Sequence, residues 1–304
     1  MRKQLDFDSN LSKRISYIVI TKNRHNYLEV FLPKVGAMKT DLDELIIVDG
    51  GSNDNSLEVI SRYKKFIDLV ISEPDKGAAH ATNKGLLFAR GKYVKYLADD
   101  DEIFPEACEA AVKVMEKNPD VDHLVCGGTK IFGRKKIPVY LPPGVDYGKN
   151  VEDVFKYGAC GAGFLTRRSV FAKVGIYPLS LLADNAFVLG CMKGGAVVKF
   201  CRINMFNHPI HSESLIQVNS SSARKELLRL CRDYTSGKFY WRFALSEFLA
   251  NHPVNLTKLY ERLPILRKFL TPLKMLYQGS ITIINPKEAV NFNKRGILWD
   301  GGFS

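Results

Sequence analysis

Residues 99–102 read Asp-Asp-Asp-Glu, set directly between the apolar run "KYVKYLA" (92–98) and "IFP" (103–105). Adjacent carboxylates repel, so such a stretch needs solvent, a helix dipole or a cation beside it. The plain reading is a solvated turn before a helix: Pro105 is a good first helical residue, and acids are favoured just ahead of one. Three aspartates at the end of a strand also fit a hard-cation site. Carboxylate oxygens suit Mg²⁺ or Mn²⁺, which typically take one or two protein carboxylates together with substrate phosphates. The chain as a whole is basic, with a formal net charge of +12 over 304 residues, so an anionic partner would also have cations to meet.

The elements that must position these acids are legible on either side of them. "RISYIVIT" (14–21), "DELIIVDG" (43–50), "DLVISE" (68–73) and "KYVKYLA" (92–98) predict strands. A helix is expected over 54–67, capped by Asp54, with Leu57, Ile60, Tyr63 and Ile67 at helical spacing. A second, over 77–91, carries a small-residue face of Ala78, Ala81, Gly85 and Ala89 and ends at Gly91. Strands alternating with helices predict an α/β fold with a mostly parallel sheet, in which ligands sit beyond the carboxyl ends of the strands. Those ends carry Thr21–Asn23, Asp49–Ser52, Glu73–Lys76 and Asp99–Asp101, four polar clusters on one rim.

Past a helix expected over 106–118, the pattern loosens. Residues 122–142 predict a hairpin around Gly133-Arg134, 161–175 a strand and short helix, and 181–203 a helix entered near Asp184 followed by a strand. From about Ser220 the chain turns basic, aromatic and helical, without further alternation. No apolar run is long enough to span a bilayer, and the first 14 residues lack a signal-peptide core. The expected location is therefore cytoplasmic. Six cysteines, scattered without metal-type spacing, predict reduced thiols in a core.

The segments "ISYIVITKNR", "LIIVDGGSNDNS", "SEPDKGAAHATNKGLLFARGKYVKYLADDDEIFPEA" and "GFLTRRSVFAKVGIY…LLADNAFVL" together resemble family-2 glycosyltransferases of the GT-A fold, of the bacterial polysaccharide type. The resemblance covers roughly residues 14–215 in the family's order. It implies a nucleotide-sugar-binding catalytic domain over 1–218 and a basic, mainly helical extension over 219–304. It implies an inverting transfer of a sugar, preferably from a UDP-sugar, to a glycan or lipid-linked acceptor. By the same resemblance Thr21 and Asn23 lie along the base and ribose, Asp49 reads the base edge, and Lys76 sits near the uracil or diphosphate. Asp99 stands beside the ribose and Asp100 holds Mn²⁺ or Mg²⁺, with Asp101 as the alternative ligand. Asp184, opening its helix, is the implied general base; a helix N-cap is its simpler role.

Ala98, His80 and Ala186 depart from the family pattern, each replacing a polar or acidic position. His208 and His211, in "NHPIHSES" (207–214), either complete the metal site or belong to a polar loop. The segment 261–279 reads as a core helix or as an interfacial one meeting anionic lipid at the inner membrane face. Two other functions compete: a nucleotidyltransferase, against which stands the absence of a Gly-rich basic loop after the first strand, and a sugar-nucleotide binder of low activity. Nucleic acid is not expected, since no helix-turn-helix, zinc or RNP pattern occurs.

Overall fold

The computed structural model describes residues 13–139, 141, 145–212, 214 and 218–251. Its centre is a nine-stranded sheet. β1 (Lys13–Thr21), β2 (Glu44–Asp49), β3 (Leu69–Ser72) and β4 (Gly91–Ala98) run parallel in the order β3-β2-β1-β4. Their register places Thr21 beside Asp49, Asp49 beside Ser72, and Ile20 beside Ala98, so four carboxyl ends share one rim.

The second half of the sheet is mixed rather than parallel. β8 (Phe164–Arg167) lies antiparallel between β4 and β6 (His123–Phe132). β9 (Val198–Ile210) runs parallel to β6, and the short β5 (Glu102–Ile103) pairs with its far edge. β7 (Lys135–Val139) completes the expected hairpin with β6. β9 extends through His208, so "NHPI" is strand rather than loop.

Helices cover both faces, as a parallel half-sheet requires. On one side lie α1 (His25–Met38), α2 (Ser56–Arg62) and α4 (Pro105–Lys117), packed through Leu28, Phe31, Val59, Ala111 and Met115. On the other lie α3 (Ala78–Phe88), α5 (Glu152–Tyr157), α6 (Val170–Val174) and α7 (Ala183–Lys193). The expected helix over 54–67 is a shorter α2 followed by a 3₁₀ turn at Lys64–Phe66, and Asp54 still serves its start by accepting from the Ser56 N–H at 2.9 Å. All six cysteines are buried, and none forms a disulfide.

α8 (Ser220–Tyr234) and α9 (Gly237–Asn251) are the described part of the basic extension. They pack onto the α7 side: Leu230, Cys231, Phe239 and Phe243 join its apolar cluster, with Phe155 of α5 against both phenylalanines. The segment 261–279 lies outside the described residues. Among those residues, no helix is long and apolar enough to cross a membrane.

Candidate active site

A cavity of about 600 Å³ opens over the carboxyl ends of β1 and β4. Thr21, Arg24, Asp99, Asp100, Asp101 and Asp184 are among the residues that line it. The acids do not face one another unshielded. Arg24 reaches across from the start of α1, its Nε 2.7 Å from Asp99 Oδ1 and its Nη2 2.6 Å from Asp100 Oδ2. Thr21 Oγ1 donates to the other Asp99 oxygen at 2.6 Å. Even so, burial pushes the Asp99 carboxyl up to about 6; Arg24 and Thr21 pull it back only in part, and the Asp100 charge adds to the rise.

Asp100 and Asp101 each meet a histidine from the end of β9. His211 Nε2 is 3.0 Å from Asp100 Oδ2, and His208 Nδ1 is 2.6 Å from Asp101 Oδ1. Tyr27 stacks on His211 at 5.8 Å between ring centres and lies 3.9 Å beneath the Arg24 guanidinium. The remaining Asp101 oxygen accepts from the Ala98 N–H at 3.2 Å. Burial works against a proton on His208, but the Asp101 bond outweighs it and raises its pKa.

Asp184 sits in the first turn of α7, yet its side chain does not cap that helix. Its Oδ2 accepts instead from the Gly161 N–H at 2.7 Å, across from the turn that leads into β8. Residue 161 must lack a side chain, because a Cβ there would lie 2.1 Å from the Tyr96 ring and 2.8 Å from the Asp184 carboxylate. Burial raises the Asp184 carboxyl to about 6, the Gly161 N–H lowers it somewhat, and the Asp101 charge raises it further. The Asp184 charge in turn pushes the Tyr96 phenol well above its ordinary pKa, with burial adding to the effect. Beneath this turn the fully buried Lys95 donates from Nζ to the Ala162 carbonyl.

Three of the residues expected at the site, Asp49, Asn23 and Lys76, are not among those that line the cavity. Asp49 is buried and accepts from Ser72 Oγ at 2.7 Å, from the Gly51 and Ser52 N–H groups at 3.2 and 3.1 Å, and from Ser52 Oγ. Its carboxylate holds the turn after β2 together. Asn23 takes the left-handed conformation (φ 53°), which asparagine tolerates. Its Oδ1 accepts from the Asn53 N–H at 2.8 Å and its own N–H donates to Ser52 Oγ at 2.8 Å, tying the ends of β1 and β2. The Lys76 side chain is exposed, its backbone N–H donates to His80 Nδ1 at 3.2 Å, and Asp75 and Gly77 line the cavity in its place.

No local pattern singles out Arg24, because its partners lie some 75 residues away and only the register of β1 against β4 brings them together. The same holds for Tyr96, Gly161 and Lys130, the last reaching the cavity from β6. Among the described residues, no group of three or more His, Cys, Asp or Glu is arranged to enclose a metal. Asp100, with His211 beside it, fits a hard cation that draws its other oxygens from a diphosphate and water. Asp101 fits less well, since both its oxygens are already engaged.

Residues 16–175 match the family described as Glycosyl transferase family 2, more than half of the sequence. The chain belongs to that family. An uncharacterized glycosyltransferase of Rickettsia prowazekii is 26% identical over 213 residues, 67% of this chain and 64% of that protein. A poly-beta-1,6-N-acetyl-D-glucosamine synthase of Staphylococcus epidermidis is 30% identical over 128 residues, 40% of this chain and 30% of that one. The chain thus spans less than two thirds of either relative's length. Among solved structures, S. aureus TarS 1-349 in complex with UDP-GlcNAc superposes with a TM-score of 0.55 at 18% identity, covering 79% of this chain and 72% of TarS 1-349. Mannosyl-3-phosphoglycerate synthase from Rubrobacter xylanophilus superposes at 0.50 and 16% identity over 73% of this chain and 75% of that one. These two likenesses show the fold expected from the sequence, an α/β sheet of GT-A type.

Proposed function

We propose that this family-2 chain transfers a sugar from a nucleotide-sugar donor, preferably a UDP-sugar, to a glycan or lipid-linked acceptor with inversion at the anomeric carbon. The observation that carries the reading is one cavity whose carboxylates are held in two different ways. Asp99 and Asp100, paired with Arg24, form a charged cluster of the kind that a diphosphate and its cation need. Asp184 has no such cation in contact; it is held by the Gly161 N–H and raised to about 6. A carboxylate of that basicity is largely ionised at neutral pH and takes a proton more readily than an ordinary aspartate.

In the proposed reaction an acceptor hydroxyl forms the new bond to the anomeric carbon as the bond to the diphosphate oxygen breaks, and the hydroxyl proton passes to Asp184. Asp100 and His211 would hold Mg²⁺ or Mn²⁺, which when bound neutralises charge on the departing nucleoside diphosphate. Thr21 and Asp99 face the ribose side. Asp49 and Asn23 act by shaping the loops that receive the base, and Lys76 stays at the rim.

The test pairs donor binding with turnover. UDP-GlcNAc with Mn²⁺ should raise the melting temperature, since a ligand of the native state stabilises it. Asp184→Asn should leave that stabilisation within a few-fold in affinity while sugar transfer to a glycan or lipid extract falls by about 10²–10⁴. Near-normal transfer by the Asn variant would remove Asp184 from the chemistry. No stabilisation by any nucleotide sugar would sink the function itself.

A further inference from the structure

The inner wall of the cavity is a patch of β6 and β9. Lys130 lies beside His208 and Phe132 beside Ile210 in the parallel register, and all four line the cavity. The start of α7, with Asp184, and the Gly161 turn line the same cavity.

The cations of this cavity are unequally occupied. Arg24 is spent on Asp99 and Asp100, and His208 on Asp101. Lys22 is exposed at the outer rim, its aliphatic stem beside Gly50. Lys130 is half-buried and has no hydrogen-bond or ion-pair partner among the described residues. Asp184 acts on this ammonium only through space, so a ligand that places an anion in contact with it gains a charge-assisted bond.

Position decides which part of a ligand that is. Lys130 stands beside His208 in the β6–β9 register and acts through space on Asp184, the proposed base. It is thus close to the point where sugar and acceptor would meet. Phe132 and Ile210, further out on the same wall, offer an apolar surface to the C–H face of a pyranose ring.

We propose that Lys130 makes this site selective for an acidic sugar, its ammonium pairing with a carboxylate or phosphate carried by the ring that lies over Phe132 and Ile210. The inference rests on the proposed transfer function and adds to it the class of substrate. The anion comes either with the donor sugar or with the acceptor, and the experiment has an arm for each.

In the donor arm, calorimetry compares UDP-glucuronate with UDP-glucose in the presence of Mg²⁺. In the acceptor arm, saturation-transfer NMR compares glucuronate and glucose 6-phosphate with glucose on the UDP-loaded protein. The expected result is a preference of roughly tenfold or more for the acidic sugar in one arm. It should fall to near one in Lys130→Met and return in Lys130→Arg. Binding of UDP-glucose with no preference for acid in either arm overturns the inference and leaves the transfer function standing. So does an equal loss of UDP itself in Lys130→Met, which would assign the lysine to the diphosphate. Failure of every nucleotide to bind the wild type overturns the inference together with the function on which it rests.

Discussion

Asp184 is the residue on which the proposed chemistry turns, and its surroundings set a pH at which that chemistry should fade. Burial raises the carboxyl to about 6, against the opposing pull of the Gly161 N–H. A general base works only when ionised, so the rate at saturating donor should climb with pH through about 6 and level off above. Asp184→Asn should flatten that acid limb as well as lower the plateau. A limb that survives in the Asn variant would assign it to another group, Asp99 being the one with a similar value. Asp184 was marked by the resemblance to family-2 glycosyltransferases; its position at the start of a helix alone suggested an N-cap. The sequence could not show whether the carboxylate turns back to cap α7 or forward to Gly161, since that depends on a backbone N–H 23 residues earlier in the chain. Arg24 was illegible for the same physical reason: charge pairing across a sheet follows register, and no local pattern reports it.

At the scale of elements, α3 shows how small residues seat a helix against the strands that end at the site. Its small-residue face was legible as such, and Gly85 lies where Ile18 of β1 and Val48 of β2 come closest. A Cβ at Gly85 would fall 2.4 Å from Ile18 Cγ2 and 3.1 Å from Val48 Cγ2. Alanine is the better helix former, but overpacking of this kind typically costs about 1–3 kcal/mol. Gly85→Ala should therefore lower stability in urea unfolding, and a stabilised variant would show that the sheet yields there at no cost. α1 is the element that sequence reading missed. Leu28, Phe31, Leu32 and Val35 are buried at clean helical spacing, but Pro33 interrupts the pattern from within. Proline removes one N–H and normally breaks an isolated helix; here the four buried side chains packed on β1 and β2 hold the helix regardless. The end of β9 was misread in the opposite sense. Asn207 to Ile210 look like polar loop until β6 supplies ten paired positions, through Ile210 at their end.

Over the whole molecule, two apolar clusters sandwich the sheet, and the second contains a histidine that no site uses. His123 is fully buried on β6 between the edges of Phe164 and Phe187, its Nδ1 2.9 Å from Thr166 Oγ1 and its Nε2 without a partner among the described residues. Burial alone lowers its pKa from 6.5 to about 3. The unfolded chain thus takes a proton near pH 6.5 that the folded chain refuses until about 3. Between those values the unfolded state binds more protons, so the contribution of His123 to stability is present above 6.5 and is lost as pH falls. Asp99 and Asp184, both raised to about 6, act in the opposite sense: the folded state takes their protons first, and acidification from 6 toward 4 favours it. The net slope is a contest between one histidine and two aspartates, and removing the histidine isolates its share. His123→Leu leaves a near-isosteric apolar group but deprives Thr166 of a bond, so absolute stability is a poor readout. The slope is a clean one. Urea unfolding followed from pH 7 to pH 4 should show the wild type losing about 3 kcal/mol more than His123→Leu, at roughly 1.4 kcal/mol per unit of pH below the unfolded pKa. Parallel slopes in the two proteins would mean that the folded core accepts the proton, and that water or a rearranged Thr166 reaches His123 after all.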